Sequence, residues 1–495
     1  MNKVLAQPGY LLNNTREIER YPYKKRFLIW GLLFSFIGGG LFLSPLLGFA
    51  FFVLFFIAGS LWRKNEPPIL AFCISFQWFS IVSGSFYKQI KGVFPGEIPG
   101  NLDGAVLLSL IGLIVIAVGI RLSFKMLESF LRSVQYKVRI SIESYSIKRL
   151  FWVVISIYII SWFIEFGRVE NVSNFAGFIS NLLAFRGVFL YLLFLAILRQ
   201  KIRYTYGFIA GFIVVLPAAT SAFSGWSELF FLLLVLFLGE WRPWLKSRVE
   251  QQFNTRILCV SAGIIIFLFV MGLIWQGGVK GAWRSTLKEG ASKESPINKI
   301  KILRSIVRET VSGLDWNKSF ESLAERLAGI YYFSHVLEYI PKVVPHENGA
   351  LILRALEHTC KPRFLFPDKP GLGSNSWLIN RYTPFYAATE ELETSIGLSY
   401  MAEFYIDFGK IGMFVPLFLW GLLIGFVYGV IFLVAPSCDF ARAAVTVMFP
   451  QPFASFEGEI AYLLGGLIQV FLIFVVILYF IGPLLNRKLL MRKRT

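Results

Sequence analysis

The residues of this chain that could do chemistry concentrate between Gln276 and Lys410. Arg363 and Lys369 lie within Pro362-Arg363-Phe364-Leu365-Phe366-Pro367-Asp368-Lys369-Pro370. Proline fixes φ, so this segment is stiff enough to aim both cations at one place, and their natural target is a phosphate or a carboxylate. The competing reading is a rigid turn whose cations pair with Asp368 or nearby glutamates. Arg326 and Arg381 are further cations of the same stretch. Glu403 precedes Asp407 by four residues, which puts both on one side of a helix. Such a pair could act as a general base or orient a hydroxyl-rich substrate. Equally, Asp407-Phe408-Gly409 could open the next span with its acid near the helix N-terminus. The reading adopted is function for Glu403 and structure for Asp407.

One candidate lies outside this stretch. Arg186 sits between Leu182-Leu183-Ala184-Phe185 and Gly187-Val188-Phe189-Leu190, where an ionisable side chain is expensive and needs a partner. It is either an anion-binding group or a side chain that snorkels to the interface. Glu165, Arg168, Glu228, Glu457 and Glu459 are available as partners, each read as an interfacial or structural charge. His335, His346 and His358 show no metal-ligand spacing, and Cys73, Cys259, Cys360 and Cys438 are scattered, so neither a metal site nor a disulfide framework is expected.

The elements that must position these groups follow from composition. Of 495 residues 56% are hydrophobic and only 16% charged, and the mean hydropathy is +0.62. One soluble core cannot hide that much apolar surface, so the chain is expected to be all-α and polytopic in a bilayer. The net charge of +19 falls in short segments beside apolar runs, where it orients spans and meets anionic lipid; no basic module stands apart to bind nucleic acid. Spans are expected at 27–43, 45–62, 69–86, 105–120, 150–166, 187–198, 204–219, 229–238, 257–275, 411–435, 441–456 and 460–481, about twelve in all. The span at 441–456 is the weakest because Pro450 and Pro452 interrupt it. The first apolar run is read as a retained span and not a signal peptide.

Charge sets the expected orientation. Residues 121–149 hold seven Lys or Arg against two Glu, and 199–203 and 242–256 are also basic, whereas 87–104 and 219–227 are not. Both termini and the basic segments are therefore placed in the cytoplasm, and 276–410 outside. Three parts result: a bundle of about nine spans (1–275), a large outer loop with the candidate site (276–410), and C-terminal spans with a basic tail (411–495). Within the loop, 299–311 reads as a cationic amphipathic helix able to lie on a membrane surface. Residues 319–340 read as one helix with Ser322 and Glu325 as a capping box and Pro341 ending it. A short helix is expected at 348–357, and an ordered irregular loop at 360–393.

The outer segment resembles the bacterial oligosaccharide repeat unit polymerases, the Wzy-type O-antigen and exopolysaccharide polymerases. The resemblance rests on Glu325-Arg326-Leu327 leading into a helix ended by Pro341, on Pro362-Arg363 followed by Lys369-Pro370, and on Gly397 followed by Glu403-Phe404-Tyr405-Ile406-Asp407-Phe408-Gly409 just before a span. These motifs cover roughly a hundred residues. The resemblance implies a GT-C-like glycosyltransferase in the bacterial inner membrane, with its active site facing the periplasm. Its donor and acceptor would be undecaprenyl-pyrophosphate-linked glycans, and it would need no cofactor. It further implies Arg186, Arg326, Arg363 and Lys369 on the pyrophosphate, Arg363 and Glu403 as catalytic groups with Glu403 the base, and Trp377, Tyr382, Tyr405 and Arg381 at the sugars. Membrane lipid, a chain-length regulator and a flippase are the partners such a system implies.

Two rivals carry different expectations. An O-antigen ligase of the same broad class would use a catalytic histidine, for which no setting is evident. A lipid-linked glycan flippase or other transporter would place ionisable residues centrally in several spans and have a small outer loop.

Overall fold

Apolar runs that cannot share their backbone groups with water have one local solution, the helix, because it satisfies each N–H and C=O within the segment. The computed structural model describes residues 22–42, 44–63, 66–94, 100–134, 145–166, 176–200, 203–218, 226–246, 270, 273–288, 296–313, 315–361, 366, 368–369, 376–385 and 397–489. Among the described residues all regular elements are helical. The first two, α1 (Pro22–Leu41) and α2 (Pro45–Leu61), form a hairpin, with Ser44 capping α2 ahead of Pro45. There follow α3 (Ile69–Lys91), α4 (Leu102–Val134), α5 (Ile147–Phe166), α6 (Ala176–Ala184), α7 (Arg186–Gln200), α8 (Tyr204–Ala218) and α9 (Trp226–Lys246).

Among the described residues six helices are long and apolar enough to cross a membrane: Ile69–Lys91, Leu102–Leu127, Ile147–Ile164, Phe178–Gln200, Phe414–Val434 and Ile460–Leu489. Shorter apolar helices occupy Phe27–Leu41, Pro45–Leu61, Tyr204–Val215 and Leu229–Gly239. The span expected at 187–198 thus joins α6 and α7 into one run. The span expected at 257–275 lies, but for its last residues, outside the described residues.

Contacts between helix ends sort the bundle into two faces. On one, Arg63 stacks on Phe124 at 4.7 Å and Tyr428 donates to Glu66 at 2.8 Å. There too Arg149 donates to the Lys488 carbonyl at 2.8 Å and Arg199 pairs with Asp439 at 3.5 Å. This face gathers the basic segments. On the other, the Asn101 N–H donates to the Ser334 carbonyl at 3.0 Å and Phe94 packs on Tyr331. The C-terminal end of α3 and the start of α4 therefore meet the polar segment.

That segment contains a π turn (Trp275–Val279), α10 (Lys280–Lys288), α11 (Pro296–Ser312), α12 (Trp316–Leu327), α13 (Tyr331–Tyr339), α14 (Ala350–Cys360), α15 (Ser376–Tyr382) and α16 (Tyr400–Gly412). The amphipathic helix expected at 299–311 is α11. The single helix expected at 319–340 is two, α12 and α13, and α12 is capped by Asp315, which accepts from Asn317 and Lys318 N–H. The break has a tertiary cause. The Leu327 carbonyl accepts from the Ser83 hydroxyl at 2.8 Å, and a side chain at Gly329 would meet Ser80 and Glu457 within 3.0 Å.

After α16 come α17 (Phe414–Val434), α18 (Cys438–Met448), the one-turn α19 (Pro450–Phe453) and α20 (Ile460–Val476), which a π turn joins to α21 (Gly482–Leu489). Pro450 and Pro452 do break the run 441–456, and residues 454–459 are not helical. Helices α4 and α17 run side by side. A Cβ at Gly421 would lie 2.3 Å from the Ile116 carbonyl oxygen. Lipid offers no hydrophobic drive between helices, so contact this close between backbones is what holds the pair.

Candidate functional site

The polar segment enters the bundle through α16. Ser399 opens that helix at φ 99°, accepting from the Met401 N–H. Such a backbone costs a side-chain-bearing residue about 1–3 kcal/mol and persists only where neighbours over-determine it. Here they do. The Tyr400 hydroxyl donates to Gln77 at 2.7 Å, and Gln77 donates on to the Phe453 carbonyl at 2.5 Å. Just upstream, a Cβ on Gly397 would sit 1.9 Å from the Glu457 carbonyl oxygen, so only glycine allows the two chain breaks, 397–399 and 454–459, to touch.

Glu403 and Asp407 occupy one side of α16, as their spacing predicts, and are 2% and 1% exposed. Each supplies a helix N-terminus that has no acceptor of its own. The first N–H groups of a helix have no internal partner, and a carboxylate there satisfies both the donors and the dipole. Asp407 accepts from Leu351 N–H at 3.1 Å and Ile352 N–H at 2.9 Å, capping α14, whose own cap position is Gly349. Glu403 accepts from Ile460 N–H at 2.9 Å, capping α20. Asp407 is thus structural, as its sequence reading has it, although the helix it caps is α14 and not the following span.

A second acid lies close to Glu403. Glu459, the residue before α20, is 4% exposed, does not cap its own helix, and has no hydrogen-bond donor at its Oε2 among the described residues. Burial raises its carboxyl to about 7, against the pull of Arg354. Burial also raises Glu403 well above the usual carboxylate range, and the charge of Glu459 adds to the rise while the Ile460 N–H opposes it. Glu457 is raised by burial and held back by Arg326, whose guanidinium lies 3.7 Å away. Arg354 is thus the cation at Glu403 and Glu459, and Arg326 the one at Glu457. Arg354 itself stands 4.3 Å over the ring of half-buried Trp377.

Residues 108–429, from α4 to α17, match a family described as a domain of unknown function, DUF8712. The chain belongs to the DUF8712 family. No curated protein and no solved structure matches it. The family match takes in Arg326, Arg354, Trp377, Glu403 and Asp407, while Glu457 and Glu459 fall beyond its end.

Of the sequence candidates, Glu403 and Trp377 each meet Arg354, while Arg326 pairs with Glu457. The structure spends others on packing. Lys369 donates to the carbonyls of His358 and Lys361 at the end of α14, where a cation meets the last free carbonyls. Arg381 pairs with Glu347 at 2.7 Å, and the Tyr382 hydroxyl donates to the same carboxylate at 2.9 Å. Tyr382 and Tyr405 are enclosed, and the Tyr405 hydroxyl donates to the Ile340 carbonyl at 2.9 Å, so neither ring presents a face to a ligand. Arg186, half-buried at the start of α7, lies 5.0 Å over the Tyr158 ring in the wall made by α5 and α7. Arg363 lies outside the described residues. Sequence reasoning did not single out Arg354 and read Glu459 as an ordinary charge. The available signal was Gly458-Glu459 standing directly before an apolar run and after two prolines, an acid placed where a helix must start.

Proposed function

We propose that this protein is a membrane glycosyltransferase that polymerises undecaprenyl-pyrophosphate-linked oligosaccharide repeat units into a surface polysaccharide. The observation that carries the reading is the buried pair of Glu403 and Glu459 with Arg354, which stands on Trp377, and with the half-buried Glu457 and its partner Arg326 two residues before Glu459 in the chain. The transfer needs three things at one membrane-proximal place. Guanidinium groups neutralise the pyrophosphate as its bond to the sugar breaks, a carboxylate receives the proton of the acceptor hydroxyl, and an aromatic face holds a sugar ring. A lipid pyrophosphate leaves as a stable anion, so the reaction asks for no nucleotide sugar and no cofactor. Arg186 and Arg363 enter this reading on the sequence resemblance alone. So do the GT-C-like architecture, the count of about twelve spans, the bacterial inner membrane and the periplasmic orientation of the polar segment.

The test is conversion of a synthetic lipid-pyrophosphate-linked repeat unit by the purified protein, followed on a gel. A product ladder that Arg326→Ala and Arg354→Ala each reduce about tenfold or more, with folding intact, is the expected outcome. A wild-type protein that makes no product sinks the reading. A second reading, transport of a lipid-linked glycan, draws on the break at 454–459, since chain interruptions lined with ionisable groups mark substrate paths in transporters. It requires transbilayer movement of the lipid in vesicles without any change in glycan length.

A further inference from the structure

The acid cluster offers several carboxylates, and a general base must have a lone pair that nothing else has claimed. Asp407 spends Oδ1 on Leu351 and Oδ2 on Ile352. Glu403 spends Oε1 on Ile460. Glu457 is paired with Arg326. Among the described residues, Glu459 is the one of these four acids with neither carboxylate oxygen in a hydrogen bond or ion pair, and its Oε2 is buried. Its backbone, by contrast, is fixed on both sides. The Glu459 carbonyl accepts from the N–H groups of Tyr462 and Leu463, each at 3.1 Å, and the next residue, Ile460, is held by Glu403.

We infer that Glu459 is the proton acceptor of the transfer and that Glu403 is its positioning residue, fixing through the Ile460 N–H the turn from which Glu459 projects. This rests on the glycosyl-transfer reading above. In the step, the O–H bond of the acceptor sugar hydroxyl breaks and its oxygen bonds to the anomeric carbon of the donor. The bond from that carbon to the pyrophosphate oxygen breaks, the electron pair leaves on the lipid pyrophosphate, and the proton goes to the Glu459 carboxylate. The charged groups facing the pair are Asp407 on α16 and Arg354 on α14, and the Arg326–Glu457 ion pair lies two residues before Glu459 in the chain. A carboxyl raised to about 7 by burial is well matched to taking up a proton and returning it to water near neutral pH.

The experiment uses the full-length purified protein and a synthetic lipid-pyrophosphate-linked repeat unit, with thermal unfolding run on every variant. Glu459→Gln lowers kcat by about 100-fold or more with KM little changed, and the acidic limb of the pH–rate profile disappears. Glu459→Asp keeps that limb at reduced rate. Glu403→Ala lowers kcat, and Glu403→Gln, whose amide oxygen can still accept from Ile460, restores most of it. Independently of turnover, the infrared band of a protonated carboxyl that fades as pH rises through 7 is present in wild type and absent in Glu459→Gln. Active wild type with Glu459→Gln within threefold of it, or with the acidic limb intact in that variant, overturns the assignment and leaves the transferase reading standing. Wild type that makes no product brings down the transferase reading, and this assignment with it.

Discussion

At one end of α16 Asp407 has both carboxylate oxygens occupied by the backbone of α14, while one turn earlier Glu403 meets a single N–H of α20 and, behind it, another acid. The same residue chemistry on the same helix face is thus completed at one end and left incomplete at the other. Burying a charge is costly unless hydrogen bonds replace water. A satisfied carboxylate stabilises the fold. An under-satisfied cluster costs stability, and a protein retains such a cost where the groups have work to do.

The comparison breaks most directly at Asp407. Asp407→Ala strands two N–H groups at the start of α14 and is expected to cost about 2–4 kcal/mol, with Asp407→Asn recovering part of it, as read by thermal unfolding in detergent. If neither substitution lowers stability, the two ends of α16 do not differ in the way described. Next in size is Gly397→Ala, whose Cβ collides with the Glu457 carbonyl. Overpacking of this kind costs about 1–3 kcal/mol, and it should depress turnover further by displacing the 457–459 turn; unchanged stability would mean that the two chain breaks are not in contact.

The pH dependence sharpens the contrast from the other end. The folded Glu459 carboxyl is raised to about 7, whereas a free glutamate titrates near ~4.3, so between these values the folded protein holds more protons than the unfolded one. Stability contributed by this group is therefore present at low pH and lost as pH rises toward 7. Glu459→Gln should flatten that slope, and an identical slope in the variant would remove Glu459 from the account. The smallest effect belongs to the rim. The Arg326 side chain is 59% exposed, so Arg326→Ala should change stability by less than about 1 kcal/mol while it lowers turnover. A large loss of stability instead would make this ion pair structural.

The sequence made much of this legible. The apolar runs at 69–86, 105–120 and 460–481 became helices because length and hydropathy act locally. The cationic amphipathic helix became α11 for the same reason. The pairing of Glu403 with Asp407 on one face was readable from their spacing, and so was the break at Pro450 and Pro452. The helix expected across 319–340 failed at residues 328–330, where a single glycine, Gly329, is the local sign of an end and the tertiary contacts enforce it. Ser80 and Ser83 of α3 contact the Leu327 carbonyl from more than two hundred residues away.

What the sequence determined by itself is an all-helical membrane chain with a long polar segment and a few charged residues in uncomfortable places. Periodicity and composition report on residues a turn or two apart, and that is enough to specify helices and their apolar faces. Tertiary structure decided which of those charges meet. Glu403 and Ile460 are 57 positions apart, Asp407 and Leu351 56. Only the packed bundle shows that one aspartate finishes a helix cap while Glu459, directly before α20, is left with a buried oxygen that no donor among the described residues reaches.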